Sequence, residues 1–280
     1  MELWYKEEHS PNVKFSIKVD KHLYSHTSRF QRIDIMESNE FGRFLTLDSS
    51  MMLTEKDEFI YHEMMVHVAM AIHPNVKRVL VIGGGDGGVV RELTKYPSID
   101  EIDLVEIDEM VVEACKAWLP QTACKLEDAR VQIYYVDGLR FIRAKENHYD
   151  LIIVDSTDPF GPGEGLYTKA FYGNCFKALT DKGILINQHE SPYYSEHAAS
   201  LKRAYASLEG CFPITQFYQA HIPTYPTGYW LFGFASKAYH PIEDLDEEKW
   251  NQLGIETDYY NTTLHRGAFA LPNYIQKLLK

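Results

Sequence analysis

Residues 78–88 read Arg78-Val79-Leu80-Val81-Ile82-Gly83-Gly84-Gly85-Asp86-Gly87-Gly88, so a short apolar run leads directly into a glycine-rich turn. A run of this length, rich in valine and isoleucine, is typical of a buried strand, and a helical pattern with Val90 and Leu93 follows it. The glycines match the GxGxxG pattern of nucleotide-binding turns, in which a strand ends and a helix begins. We therefore interpret the segment as the first strand–turn–helix unit of an open α/β sheet.

Strands and helices continue to alternate through the rest of the chain. Further apolar strands are predicted at residues 102–105, 131–134, 151–154 and 184–186. Strands this continuously apolar are typical of a parallel sheet that is buried on both faces. Two aromatic segments, near 214–218 and 229–235, are predicted to add an antiparallel pair. The predicted fold class is α/β: a doubly wound, Rossmann-like, mostly parallel sheet of the methyltransferase type.

The amino-terminal part has a different pattern. Val13, Phe15, Ile17 and Val19 alternate with polar residues, and this period of two predicts a half-buried strand. Several such segments in succession indicate a small antiparallel sheet packed on the rest of the molecule. Thr54-Glu55-Lys56-Asp57 then has the spacing of a capping box, which predicts the start of a helix. We place the boundary here, with an amino-terminal β domain at residues 1–55 and a Rossmann-like domain at 56–280.

The composition argues against several classes of protein. Asp and Glu number 40 against 28 Lys and Arg, a net charge of −12, whereas nucleic-acid-binding proteins need cations for phosphate contacts. The four cysteines form no CxxC pair, so neither a disulfide framework nor a zinc site is indicated. The charged amino terminus is unlike a signal peptide, and no segment approaches the roughly 18 apolar residues of a membrane span. We expect a cytoplasmic protein without nucleic-acid, membrane or metal partners.

Polar residues with suitable chemistry follow the predicted strands. Glu106 ends the second strand of the α/β part, where a carboxylate accepts hydrogen bonds from ribose hydroxyls. Asp137 and Gly138 follow the third strand, in a position to meet an adenine amino group. Because open α/β sheets bind ligands at the carboxyl ends of their strands, these residues and the turn glycines Gly83 and Gly85 predict a nucleoside site.

The kind of nucleoside is indicated by Asp86, inside the glycine-rich turn. NAD and S-adenosylmethionine both fit a glycine-rich turn that is followed by an acid, Glu106, at the end of the next strand. NAD would bring its pyrophosphate against the Asp86 carboxylate, and S-adenosylmethionine would bring its own carboxylate, so both would be repelled. A donor with an ammonium group and no carboxylate, such as decarboxylated S-adenosylmethionine, suits Asp86 better.

An acidic loop follows the fourth strand. It reads Asp155-Ser156-Thr157-Asp158-Pro159-Phe160-Gly161-Pro162-Gly163-Glu164, and its prolines and glycines keep it out of a helix. Asp155 and Asp158 emerge beside the predicted nucleoside site. We interpret the loop as a lid over that site.

Taken together, these motifs resemble those of the spermidine synthases, the polyamine aminopropyltransferases. The resemblance extends from about residue 4 to the end of the chain and is carried by GGGDGG at 83–88, Glu106-Ile107-Asp108, Asp137-Gly138, DSTDP at 155–159 with Gly161-Pro162, Phe30-Gln31, Tyr61-His62-Glu63-Met64 and Pro223-Thr224-Tyr225-Pro226. It implies that an aminopropyl group passes from decarboxylated S-adenosylmethionine to putrescine, giving spermidine and 5′-methylthioadenosine. It also implies a homodimer or homotetramer without a permanently bound cofactor, in which the β domain serves oligomerisation and part of the active site.

The resemblance implies roles for single residues as well. Asp155 would be the base that takes a proton from the attacking amine, with Tyr61 beside it. His62 stands where the family carries either His or Gln. The donor would be bound by Gln31, Gly83, Gly85, Asp86, Glu106, Asp137, Gly138 and Pro162. The amine would be bound by His62, Asp86, Asp155, Asp158, Gln188 and Tyr225.

Other interpretations of the sequence compete with this one. The acceptor of the same transfer could be agmatine, cadaverine or spermidine. An S-adenosylmethionine-dependent methyltransferase would share the fold and the nucleoside site but has no use for acids at 86, 155 and 158. A non-catalytic polyamine-binding module would not need an intact nucleoside pocket. A zinc hydrolase is set aside because His62 and His67 are five positions apart, whereas the HExxH motif needs four.

Overall fold

The computed structural model describes residues 2–73, 75–156 and 161–280, without the side chains of residues 161, 162 and 196. Asp158 lies outside the described residues, and so does the side chain of Pro162. The described chain forms three β-sheets, with helices packed mainly around the largest of them.

The amino-terminal part forms two antiparallel sheets, where the sequence predicted one. Strands β1 (Leu3–Ser10) and β2 (Val13–Val19) make a hairpin. A four-stranded sheet follows, in the order β3 (Lys21–Thr27), β4 (Arg32–Ser38), β5 (Gly42–Leu47) and β6 (Ser50–Thr54).

The two small sheets stay separate because the hairpin packs on the second sheet instead of pairing with its edge. The apolar side chains of the hairpin that face inward contact those of the second sheet. The cluster between them consists of Tyr5, Ile17, Val19, Met36, Phe44 and Met51. The alternating pattern predicted one buried face on the hairpin, but not which surface would cover it.

The largest sheet has seven strands and confirms the predicted fold class. Its order is β12-β13-β11-β10-β7-β8-β9. Strands β7 to β11 are parallel to one another, and β13 is antiparallel both to β11 and to β12, which gives the predicted antiparallel pair. The strands are β7 (Arg78–Gly83), β8 (Glu101–Glu106), β9 (Val131–Tyr135), β10 (Tyr149–Asp155), β11 (Leu179–Gln188), β12 (Ile214–His221) and β13 (Tyr229–Ser236).

Helices cover both faces of this sheet. In β7, Val79 and Val81 point into one apolar core, whereas Leu80 and Ile82 point into another on the opposite face. Strand β9 is an exception to the prediction of fully buried strands, because it lies at the edge and its residues are only partly covered. The helices are α1 (Glu58–Met70), α2 (Gly88–Thr94), α3 (Glu109–Trp118), α4 (Pro120–Ala123), α5 (Gly138–Arg143), α6 (Lys169–Ala178), α7 (Ser195–Glu209), α8 (Glu247–Gln252), α9 (Thr262–Ala268) and α10 (Asn273–Leu279).

Helix α1 begins without the predicted capping box. Asp57 is the N-cap residue, but its side chain makes no cap hydrogen bond. The Thr54 hydroxyl donates to Asp57 Oδ1 at 2.6 Å, and the backbone N–H and hydroxyl of Thr224 donate to Asp57 Oδ2 at 3.0 and 2.7 Å. The prediction of a capping box is wrong because a distant loop takes the carboxylate that would have closed it.

Within the described ranges, no helix is both long and apolar enough to span a membrane.

Candidate active site

A cavity lies where the carboxyl ends of β7, β8 and β10 face strands β5 and β6. Parallel pairing places Asp155, at the end of β10, opposite Gly83 at the end of β7. The predicted site residues that line the cavity are Gln31, Tyr61, His62, Gly83, Gly85, Asp86, Glu106, Asp137, Gly138, Asp155, Gln188 and Tyr225. The contacts of Asp158 and of the Pro162 side chain stay predictions.

The glycine-rich turn makes room for side chains of the site. A Cβ on Gly85 would lie 2.9 Å from Oε2 of Glu106, and a Cβ on Gly88 would lie 2.2 Å from Cε1 of His62. Only glycine leaves space for these two neighbours. The turn is therefore packed closely against an acid and an imidazole, and the acids around it disfavour a pyrophosphate there.

Glu106, which the sequence predicts to bind a ribose, lies in the cavity wall. Glu106 is buried, and its Oε1 accepts a hydrogen bond from the Asp108 backbone N–H at 2.9 Å. Burial raises the pKa of Glu106 to about 7, against the lowering effect of the backbone N–H groups around it. Hydroxyl donors from a ribose would stabilise the ionised form of this carboxyl group.

The small four-stranded sheet contributes to the same wall. Gln31 follows Ser28 in the connection between β3 and β4. The Gln31 amide and the Ser28 hydroxyl donate to Asp108 Oδ2 at 3.1 and 2.6 Å. These bonds hold Gln31 beside the segment that carries Glu106.

Asp137 serves as a helix cap in addition to lining the cavity. Its Oδ1 accepts a hydrogen bond from the Leu139 backbone N–H at 2.8 Å, at the start of α5. A carboxylate has a second oxygen, so this contact is compatible with a hydrogen bond to a ligand.

Two further acids meet in the cavity wall. Tyr61 donates to Asp155 Oδ1 at 2.6 Å, whereas Asp155 Oδ2 is buried and has no hydrogen-bond partner in the described part of the chain. Burial and the nearby charge of Asp86 raise the pKa of Asp155 to about 6, although His62 and Tyr61 oppose the shift. A carboxylate with this pKa is ionised at neutral pH and can still accept a proton, as a general base must.

Asp86 is held in place by two donors. The Gly88 backbone N–H donates to Asp86 Oδ1 at 2.8 Å, and His62 Nε2 lies 3.2 Å from the same oxygen. Burial alone would raise the pKa of Asp86, but His62 and the Gly88 N–H outweigh burial and lower it. Asp86 therefore presents a stable negative charge at the edge of the cavity.

His62, predicted to line the amine site, has both ring nitrogens against carboxylates. Nδ1 lies 2.5 Å from Oε2 of Glu58, and Nε2 faces Asp86. Burial alone would lower the pKa of His62, but Asp86 and Glu58 outweigh it and raise the pKa to about 10. The ring lines the cavity as an imidazolium whose two donors are already engaged.

Aromatic rings and an amide complete the wall. Tyr225 donates to the Met52 carbonyl at 2.5 Å, and its ring centroid lies 5.9 Å from that of Tyr61. The Gln188 amide N–H groups donate to the Ser156 carbonyl at 2.9 Å and the Tyr167 hydroxyl at 2.7 Å. Gln188 Oε1 is buried without a partner among the described residues, so it is available to a donor inside the cavity.

His62, Asp86 and Asp155 are close enough to hold a metal ion, with one ligand atom from each within 4.8 Å of the others. Both ring nitrogens of His62 already face carboxylates, so His62 would have to give up a proton and its contact with Asp86 in order to bind a metal. The two carboxylates are better suited to a cation that carries N–H donors.

Sequence reasoning missed several residues of the site. Asp57 was assigned to a capping box, yet it holds Thr224, the neighbour of Tyr225. Glu58 stands four positions before His62, and this spacing of an acid and a base on a helix was a usable signal. Arg91, which pairs with Glu58, left no local signal because the two lie on different helices.

Comparison with known proteins agrees with this geometry. Residues 58–246 match the family model described as spermine/spermidine synthase domain, and residues 3–55 match that of the spermidine synthase tetramerisation domain. The polyamine aminopropyltransferase of Alkaliphilus oremlandii is 68% identical over 280 residues, which are 100% of this chain and 99% of the relative. That of Clostridium botulinum (strain Alaska E43) is 68% identical over 279 residues, or 100% and 98%.

Solved structures agree as well. A spermidine synthase crystallised with the transition-state analogue AdoDATO is 44% identical, with a TM-score of 0.96 over 99% of this chain and 94% of that chain. The spermidine synthase of Thermotoga maritima is 43% identical, with a TM-score of 0.95 over the same shares, 99% and 94%. The chain belongs to the spermine/spermidine synthase family of enzymes, the polyamine aminopropyltransferases.

Proposed function

We propose that this enzyme transfers an aminopropyl group from decarboxylated S-adenosylmethionine to putrescine, producing spermidine and 5′-methylthioadenosine. The observation that carries the proposal is the pair of acids, Asp86 and Asp155, in the wall of a cavity that also contains a third buried acid, Glu106. The pair suits two cationic groups that must meet, and a related spermidine synthase that binds AdoDATO supports the same chemistry.

The donor would lie along the carboxyl ends of the strands. Glu106 would accept hydrogen bonds from the ribose hydroxyls, with Gln31 close by. Asp137, Gly138 and Pro162 would surround the adenine, a role supported for the first two by their place in the cavity wall. Gly83 and Gly85 allow the backbone of the turn to approach the donor closely.

Asp86 would bind the ammonium of the aminopropyl group. A charge-assisted hydrogen bond of this kind contributes about 1.5–3 kcal/mol. S-adenosylmethionine would bring a carboxylate to the same place, so Asp86 would select against the ordinary methyl donor.

The acceptor amine would lie between Asp155, Tyr225 and Gln188. Gln188 Oε1 supports this position, because both of the amide N–H groups are used and the oxygen remains to accept from an ammonium or amine. Asp158 would bind the distal ammonium of putrescine, as the family resemblance implies.

The transfer is a single displacement. Asp155 Oδ2 would take one proton from the attacking ammonium, which leaves a nitrogen lone pair. That lone pair forms a bond to the methylene next to the sulfonium, the carbon–sulfur bond breaks, and its electrons remain on the sulfur of methylthioadenosine. Alignment of nitrogen, carbon and sulfur by the two acids would contribute much of the rate.

The experiment compares donors and acceptors directly. Purified enzyme is incubated with decarboxylated or ordinary S-adenosylmethionine and with putrescine, cadaverine, agmatine or spermidine, and the nucleoside product is separated by chromatography. We expect methylthioadenosine from the decarboxylated donor only, with putrescine as the best acceptor. Formation of S-adenosylhomocysteine would instead indicate a methyltransferase, and preference for another amine would correct the acceptor.

A matched variant tests the basis of donor selection. Asp86→Asn keeps the size of the side chain but removes its charge, so the Kd of the decarboxylated donor should rise about 10- to 100-fold. The discrimination against S-adenosylmethionine should fall at the same time. Unchanged affinities for both donors would contradict the role of Asp86.

We also propose a homodimer or homotetramer built through residues 1–55, as a domain distinct from residues 56–280. The match of residues 3–55 to a tetramerisation domain supports this assembly, and Leu3, Trp4 and Val13 of the hairpin are exposed apolar groups suited to an interface. A stable monomer in sedimentation at micromolar concentration would contradict it.

We place the reaction in the cytoplasm, which the free thiols of all four cysteines support.

A further inference from the structure

A row of charged side chains leads from the cavity wall into the protein behind Asp86. Arg91 donates two hydrogen bonds to the Glu58 carboxylate, at 2.7 and 2.9 Å. Glu58 Oε2 lies 2.5 Å from His62 Nδ1, and His62 Nε2 lies 3.2 Å from Asp86 Oδ1. The charges alternate along the row, in which Glu58, His62 and Asp86 line the cavity and Arg91 lies behind them.

The two helices that flank the glycine-rich turn place all of these groups. Glu58 and His62 lie one turn apart on α1 and share a face. Arg91 lies one turn after Gly88 on α2, and the missing side chain of Gly88 lets the His62 ring fit between the helices. Arg91 does not line the cavity, so it has no route to a ligand except through its neighbours.

The surroundings of the His62 ring favour protonation of both nitrogens. The charged groups that face it are the carboxylate of Glu58 on its own helix and that of Asp86 on the turn, with Arg91 and Asp155 further out. The Tyr61 ring packs edge-on at 5.4 Å. With two donors fixed by two acids, His62 is not free to accept a hydrogen bond from an amine.

We propose that Glu58 and Arg91 are positioning residues for the aminopropyl donor, because they hold the His62 ring so that its Nε2–H orients the Asp86 carboxylate toward the ammonium of the donor. This inference rests on the proposed function, since it takes Asp86 as the site of that ammonium. It assigns to His62 an indirect role, through Asp86, in place of the predicted direct contact with the amine.

Comparing the Kd of the aminopropyl donor with that of methylthioadenosine distinguishes a positioning role of Glu58 from a general structural role. Methylthioadenosine has no ammonium, so a residue that acts through Asp86 leaves its affinity unchanged. Glu58→Gln keeps the shape of the side chain and removes the charge that pairs with His62. We expect the Kd of decarboxylated S-adenosylmethionine to rise about tenfold. Calorimetry should show the same Kd for methylthioadenosine in the variant and in the wild type.

Nitrogen NMR of the histidine rings supplies a second readout. In the wild type both ring nitrogens of His62 should be protonated at neutral pH, and in Glu58→Gln one of them should lose its proton. The matched control is Glu92→Gln. Glu92 accepts from Arg91 Nε at 3.0 Å and lies 3.0 Å from His67 Nε2, on the far side of Arg91 from His62. Because glutamine at this position still offers an oxygen to Arg91 Nε, this control should leave the donor Kd and the His62 signals unchanged.

A double variant decides whether Glu58 acts through His62. In a His62→Gln background, Glu58→Gln should have no further effect on the donor Kd. If it still weakens donor binding about tenfold there, Glu58 acts directly and the inference is overturned. Arg91→Lys, which keeps the charge but not the two-pronged contact, should give a smaller donor-specific loss than Glu58→Gln.

The experiments distinguish a failure of this inference from a failure of the proposed function. Equal weakening of the donor and of methylthioadenosine in Glu58→Gln would mean a merely structural role and would overturn the inference. Absence of aminopropyl transfer in the wild type would overturn the proposed function itself, and this is measured before any variant is made.

Discussion

Asp155→Asn removes the proposed base while preserving its surroundings. An asparagine at this position keeps an oxygen for the Tyr61 hydroxyl, which lies 2.6 Å from Asp155 Oδ1 in the structure. It replaces Oδ2, the oxygen without a partner among the described residues, by an NH₂ group that cannot take a proton. The variant therefore tests proton acceptance apart from packing.

The expected size of the effect follows from the pKa of the two partners. The pKa of Asp155 is raised to about 6, and that of a free alkylamine is about 10.4, so direct proton transfer costs about 6 kcal/mol. Burial of the reacting ammonium lowers its pKa and reduces this cost. Without a base, the reaction depends on amine that is already neutral, and we expect kcat to fall by about 10²–10⁴.

Single-turnover kinetics with saturating donor measures the loss, and calorimetry with methylthioadenosine checks that the cavity is intact. The wild-type rate should fall as the pH drops below about 6, because the base acts only when ionised and is protonated below its pKa. Asp155→Asn should show no change of slope near pH 6, and its rate should instead fall about tenfold per pH unit throughout this range, because it depends on the neutral fraction of the amine. A variant that retains more than about a tenth of the wild-type kcat would refute the assignment of Asp155 as base.

Tyr61→Phe is the matched control because it leaves the carboxylate in place. The Tyr61 hydrogen bond lowers the pKa of Asp155, so its loss should raise that pKa and move the acidic decrease of the rate to higher pH. A shift to lower pH would contradict the arrangement of these two residues.

Three further predictions concern other parts of the site. Burial raises the pKa of Glu106 to about 7, so the affinity for methylthioadenosine should fall by up to about tenfold per pH unit below 7, and calorimetry from pH 6 to 8 should show it. Gly88→Ala would place a Cβ 2.2 Å from the His62 ring, and urea denaturation should show a loss of about 1–3 kcal/mol. Asp57→Ala should cost about 1.5–3 kcal/mol by the same measurement, since it removes the acceptor of both Thr224 donors.

Each of these predictions has its own control. Glu106→Gln should bind methylthioadenosine weakly at every pH, and a wild-type affinity that does not change between pH 6 and 8 would count against the raised pKa. Gly267→Ala, whose Cβ would meet nothing within 4 Å, should cost much less than Gly88→Ala. Thr224→Ser keeps both donors to Asp57, so a large loss of stability in that variant would contradict the explanation.

Much of the site was predictable because its chemistry follows strand ends. Glu106, Asp137 and Asp155 each stand at or just after the end of a strand in the sequence, and the structure places all three around one cavity. The reason is geometric: adjacent parallel strands end at the same edge of a sheet. The apolar periodicity that predicts the strands therefore also predicts where their terminal acids meet.

The supporting contacts were not predictable in the same way. The spacing of Thr54 and Asp57 fits a capping box, but Asp57 binds Thr224, which is 167 positions away in the chain. Arg91 and Glu58 are separated by 33 positions and meet only because α1 packs on α2. The split of the amino-terminal strands into two sheets likewise depends on which surface covers the hairpin.

The sequence by itself determined the alternation of strands and helices, the glycine-rich turn and the order of the acids, because these depend on residues within one strand or one helical turn. Only the tertiary structure decided the charge that each group carries. His62 is an imidazolium and Asp155 a base with a pKa of about 6 because burial and neighbouring charges from separate elements act on them together. Those neighbours are far apart in the chain, and no local sequence pattern predicts that they come into contact.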